Sequence, residues 1–99
     1  MVIVKIIKSH RDIVTICDAN LIGKKFEEGK FQLDVKENFF LGKELNEEET
    51  VDVIIKMVQE DATFYIVGEE SVKIAINSGL ISEEEIKRIQ GIPFSLLLI

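Results

Sequence analysis

The sequence predicts an α+β domain: a small mixed β-sheet with an N-terminal β-hairpin and two to three helices. Three observations lead there. Two runs rich in Val and Ile, residues 2–8 and 13–18, are separated only by the polar Ser9-His10-Arg11-Asp12, as in an antiparallel hairpin. Residues 46–58 repeat apolar side chains at helical spacing. The apolar runs 63–67 and 94–99 are short and suit buried strands.

The elements follow in order. After the hairpin, residues 20–29 read as a loop or short helical turn. Phe31, Leu33 and Val35 then alternate with Gln32, Asp34 and Lys36, which predicts a strand with one wet face. Phe39, Phe40 and Leu41 end in Gly42 and pack over an edge of the sheet. Asn46 with Glu49 three residues on forms a capping-box pattern, and Val51, Ile54, Ile55 and Val58 give the following helix an apolar face. Thr63 to Val67 is a strand, and Gly68 ends it. Residues 69–78 form a second helix with Val72, Ala75 and Ile76 inward, stopped by Gly79. Ser82 caps a third, short helix with Glu85 at N3 and Ile81 and Ile86 as a hydrophobic staple; Gly91 and Pro93 stop it. Phe94 to Ile99 is a final strand, buried on both faces or covered in part by a second copy of the chain. The segment from residue 63 onward suits a right-handed parallel crossover.

Composition sets bounds. The 99 residues are expected to form one domain, 1–99, and with 46% hydrophobic residues they can build a core without staples. No apolar run approaches the roughly 18 residues of a membrane helix. The N-terminus lacks a signal-peptide layout, and the single cysteine, Cys17, forms no internal disulfide. Together these predict a cytoplasmic protein with no membrane partner. Net charge is −6, with +2 in residues 1–43 and −8 in residues 44–99. That balance argues against a generic nucleic-acid coat, yet leaves room for a basic patch in the first half.

Three stretches carry a resemblance. LIGKKFEEGKFQLDV (21–35), IVGEESVKIAINSGLI (66–81) and IKRIQGIP (86–93) resemble the archaeal domain-of-unknown-function 424 family of small single-domain proteins. The anchors are Leu21-Ile22-Gly23-Lys24 with Phe26, Glu28 and Gly29, then Val67-Gly68-Glu69, then Gly91-Ile92-Pro93. The family often places His after that proline, where this chain has Phe94, so no role for that His carries over. The resemblance implies an archaeal cytoplasmic α+β domain with a loose association with translation or RNA. It brings no activity, cofactor or catalytic residue.

Candidate chemistries are few. His10 and Cys17 are the only residues of their types. A nucleophile pair would need them adjacent, whereas a turn histidine and a small core thiol account for them otherwise. One His and one Cys exclude a standard structural zinc site within the chain. The triplets Glu47–Glu49 and Glu83–Glu85 each follow an N-cap, where acidic residues favour the helix dipole. Gly23-Lys24-Lys25 lacks P-loop spacing, and the glutamates of Gly68-Glu69-Glu70 would repel phosphate. No cofactor, metal or catalytic residue is therefore expected.

The binding candidates are Gly23, Lys24, Lys25, Lys30 and Lys36. Lys30 and Lys36 share strand parity and should project from one face, with Lys24 and Lys25 in the loop before them. Phe31 alternates with them and should face the core, which removes the aromatic a nucleic-acid platform would use. The resulting reading is a non-enzymatic binding or adaptor domain. It contacts an unknown protein or ribonucleoprotein partner through residues 21–30 and the neighbouring strand. The alternatives are an RNA- or ribosome-associated protein using the same lysines, a homodimer through the C-terminal segment, and an enzyme with carboxylates such as Asp18, Glu27 and Glu28. Gly23 and Gly29 are expected to hold conformations or close approaches that a Cβ would disturb.

Overall fold

β-Branched side chains lose rotamer freedom in helices and pack well on a pleated surface, and they set the centre of the molecule. The computed structural model describes residues 1–98. Strands β1 (Val2–Ile7) and β2 (Ile13–Asp18) form the expected antiparallel hairpin, with Ile7 opposite Ile13 and Val2 opposite Asp18. Strands β3 (Lys25–Glu28) and β4 (Phe31–Asp34) pair as a separate two-stranded ribbon. A four-residue helix α1 (Glu37–Phe40) and strand β5 (Lys43–Leu45) follow. Then come α2 (Glu47–Gln59), β6 (Thr63–Val67) and α3 (Glu69–Asn77). Strands β7 (Lys87–Ile89) and β8 (Ile92–Leu97) form the last hairpin.

The main sheet has the order β5-β1-β2-β6-β8-β7. β2 and β6 run parallel, while the other pairings among the described residues are antiparallel. Side chains alternate between two faces of this sheet. On the first, Val4, Val14, Ile16, Phe64 and Ile66 are buried with residues of α2 and α3. On the second, Cys17 and Val67 are buried with Leu21 and Val35, which flank the ribbon, and with Phe40 of α1. Buried hydroxyls find partners: Thr50 Oγ1 donates to Asn46 O at 2.7 Å and Ser95 Oγ to Glu85 O at 3.1 Å.

The α+β class and the N-terminal hairpin agree with the sequence reading, and several details differ. The segment 20–29 contains a short 3-10 turn, Ala19–Leu21, and then strand β3. Phe26 is its one apolar side chain, too few to show a period. The α2 box is as expected: Asn46 Oδ1 accepts the Glu49 N–H at 2.8 Å, and Glu49 Oε1 accepts the Asn46 N–H at 3.0 Å. Its buried stripe, however, is Thr50, Ile54 and Met57, leaving Ile55 54% exposed and Val58 at the surface. The helix is turned so that Thr50, whose hydroxyl bonds back to its own helix, meets the core. In α3, Val72 and Ala75 are buried as expected, Ile74 joins them, and Ile76 is only half-buried.

The third helix is a single 3-10 turn, Glu83–Glu85, in which Glu85 Oε1 accepts the Ser82 N–H at 2.9 Å. Gly91 does not stop it. Ile89 faces Ile92 across a two-residue turn in which Gln90 and Gly91 have φ of 51° and 78°, the pattern of a type I′ hairpin. This hairpin also alters the crossover. β6 and β8 are antiparallel, because α3 delivers the chain to β7 and the turn then inserts β8 between β7 and β6. The final strand is not buried on both faces: Leu96 is 48% and Leu98 71% exposed. The expectation for Ile99 lies outside the described residues.

Candidate binding site on the second face of the sheet

A two-stranded ribbon is narrower than the six-stranded sheet it lies on, and what it leaves uncovered defines the site. Glu28 and Phe31 flank the two-residue turn Gly29-Lys30. Gly29 has φ of 59°, as a II′ turn with glycine first requires. Gly23 has φ of 84°, and among the described residues neither glycine has an atom, apart from those of its chain neighbours, within 4 Å of where a Cβ would stand. Their role is thus conformational, not one of close approach. At its tip the ribbon is tied to the β7–β8 turn. The Gln90 N–H donates to Glu28 Oε1 at 2.8 Å, and Gln90 Nε2 to Glu27 O at 2.6 Å.

The sequence-derived lysines all lie on or beside this ribbon. Lys24 and Lys25 stand at its base, Lys30 at its turn, and Lys36 is the residue preceding α1. Lys30 and Lys36 flank β4 instead of projecting from it, since the strand covers only Phe31–Asp34. All four are exposed, but they do not make one basic platform. Lys25 Nζ lies 3.5 Å from Glu27 Oε1, and Asp34 is opposite Lys25 in the pairing. Phe31 overturns the expectation of an inward side chain: it is 71% exposed. The ribbon's tip lies at β7, the last strand of the sheet, so little sheet remains beneath Phe31 to bury it.

Below β4 is a cavity of about 310 Å³, lined by Leu33, Phe39, Tyr65, Val67, Phe94 and Leu96, with Gln32 and Asp34 on the β4 side. Phe39 packs edge-on against Tyr65 at 5.4 Å and against Phe40 at 5.2 Å. Such contacts hold aromatic walls in place. The sequence reading misses this cavity because its residues come from four separate elements. One signal was available: an alternating strand such as 31–35 needs a neighbour, and Gly29-Lys30 is a hairpin turn that supplies it.

The carboxylates of the enzymatic alternative are engaged apart from one another. Asp18 Oδ1 accepts the Ser71 N–H at 2.8 Å and the Ser71 hydroxyl at 2.7 Å, while Oδ2 accepts the Glu70 N–H at 3.1 Å. An aspartate at the end of β2 thus caps α3, whose own N-cap residue is Gly68. An internal anion occupies the helix N-terminus where a phosphate would otherwise sit. Glu27 and Glu28 are held by Lys25 and Gln90. Among the described residues no three His, Cys, Asp or Glu side chains are grouped to hold a metal ion, and no helix is long and apolar enough to cross a membrane.

Cys17 is buried, and burial, with the charge of Asp18, pushes its thiol up to about 12. A thiol so shifted is a poor nucleophile at neutral pH. His10 sits in the β1–β2 connection beyond Ile13, while Cys17 pairs with Ile3 near the opposite end, and the strand from Ile13 to Cys17 alone spans roughly 13 Å.

Comparison with known proteins adds the family. The crystal structure of an uncharacterized conserved protein from Methanopyrus kandleri has the same fold, with a TM-score of 0.86 and 24% sequence identity over 97% of this chain and 89% of that one. A search of curated proteins found no match. The family model described as Protein of unknown function (DUF424) matches residues 7–99, which is nearly the whole sequence, so the chain belongs to the DUF424 family.

Proposed function

We propose that the protein is a small cytoplasmic binding domain for a protein partner. Its contact surface is the β3–β4 ribbon, residues 21–24 leading into it, and the groove beneath. One observation carries this reading: the second face of the sheet is only partly covered, leaving an aromatic-walled groove bordered by the exposed Leu96. Apolar grooves beside polar rims are where proteins take ligands and partners. The test is affinity purification from the native cell, with and without nuclease, comparing wild type with the Lys24→Glu, Lys25→Glu double variant and with Leu96→Glu. A protein held by wild type after nuclease and lost by either variant is the expected result. Equal retention by all three would sink the reading.

A second reading has one observation in its favour. Phe31 stands exposed beside Lys30 at the ribbon tip, an aromatic and a cation placed as a single-strand RNA contact uses them. Against it stand Glu27 and Asp34, interleaved with the lysines. Copurifying material that is lost with nuclease, and whose binding falls steeply between low and moderate salt, would favour RNA over protein.

A further inference from the structure

We infer that the outer edge of β4 accepts an extended, basic, apolar-anchored peptide as a third strand of the ribbon, with one apolar side chain seated in the groove below. This rests on the binding-domain reading and supplies the partner's chemistry. The phase of the β3–β4 pairing decides which backbone groups face outward. Val35 N–H donates to Lys24 O at 2.8 Å. Counting back along the antiparallel register, Leu33 and Phe31 also turn their backbone groups toward β3. Gln32 and Asp34 then turn theirs the other way. No hydrogen-bond partner for those outward N–H and C=O groups is found among the described residues. Both residues border the groove.

Two N–H and two C=O groups at strand spacing, beside an apolar floor, are complemented by a chain of amides. An aliphatic ligand would leave them unpaired. A nucleic-acid backbone would bring phosphate acceptors to carbonyl oxygens. A peptide strand satisfies all four, and its alternate side chains point down to the groove and up to solvent. The floor facing the inward side chain is Phe39, Tyr65, Phe94 and Leu96, and the cavity of about 310 Å³ exceeds one large apolar side chain. Among the described residues Asp34 is the one charged residue lining the cavity. It has no ion pair among the described residues. A cation in the peptide next to its apolar anchor would complement that carboxylate, and the chain's net charge of −6 draws a basic segment toward it.

The probe is a capped heptapeptide alternating leucine with threonine and lysine, titrated into the isotope-labelled full chain and followed by NMR and amide exchange. Two control peptides are used: one N-methylated at alternate amides, one with glutamate in place of lysine. The expected result is exchange at Gln32 and Asp34 slowed about tenfold or more, with shifts at Tyr65 and Leu96. Binding should be lost with the methylated peptide, weakened with the glutamate peptide, and weakened about tenfold by Leu96→Glu, whose exposed position leaves the fold intact. Equal binding of the methylated peptide, or no binding at millimolar concentration, overturns the inference. So does protection mapped to Lys24 and Lys25 instead, though that outcome leaves the binding-domain reading standing. A concentration-dependent dimer abolished by Leu96→Glu would assign the groove to a second copy and likewise overturn it.

Discussion

At the scale of single residues, two glycines separate two kinds of cost. Gly29 has a positive φ with open space around it, so Gly29→Ala is expected to lose about 1 kcal/mol through backbone strain alone. Gly68 has φ of 108° and packs against the Asp18 carboxylate. There Gly68→Ala adds a steric clash to the strain, and the loss should exceed that at Gly29 in the same chemical denaturation series. Asp18→Ala removes the acceptor of three hydrogen bonds and is expected to cost about 1–3 kcal/mol. Cys17 gives a pH dependence. Its thiol is held neutral in the fold well above its ordinary 9.0, at about 12. The stability this contributes is fully present below pH 9 and is lost as pH rises toward 12. Wild type should therefore weaken over that window more than Cys17→Ala does, and folded Cys17 should resist alkylation at pH 8.

At the scale of elements, legibility followed the number of apolar side chains each element contributes. β1 and β2 are dense in Val and Ile, β6 is an apolar and aromatic run, and all three are plain in the sequence. The capping box of α2 is equally plain, and Asn46→Ala is expected to cost about 1 kcal/mol by thermal unfolding. β3 and β7 contribute one apolar side chain each, Phe26 and Ile89, and neither can be seen without knowing what it pairs with. The rotation of α2 was hidden because Thr50 counts as polar until its hydroxyl is seen bonding Asn46 O. The candidate site was legible in part. The ribbon's lysines were identified, but Phe31, Leu96 and the β4 edge depend on where a narrow ribbon ends on a wide sheet.

At the scale of the whole molecule, the C-terminal leucines divide by parity. Leu97 is half-buried, pairs with Phe64 and packs against the first-face core, whereas Leu98 stands 71% exposed. Leu97→Ala is expected to cost about 2 kcal/mol and Leu98→Ser less than about 0.5 kcal/mol in urea unfolding. Equal losses would contradict the alternation. Truncation after Phe94 also removes the pairing of Ser95 and Leu96 with Ile66 and Tyr65. The shortened chain should lack a cooperative transition.

The parallel seam between β2 and β6 has a consequence in time. The chain leaves that seam at Asp18 and returns at Thr63, whereas the flanking hairpins close through connections of a few residues. Short hairpins form in about 1–10 μs, and closing a longer loop adds a growing entropic barrier. The two halves should thus take shape early and then wait for the seam, making its closure the rate-limiting event. In stopped-flow chevrons, Ile16→Val and Ile66→Val should slow refolding by nearly the whole of their stability loss.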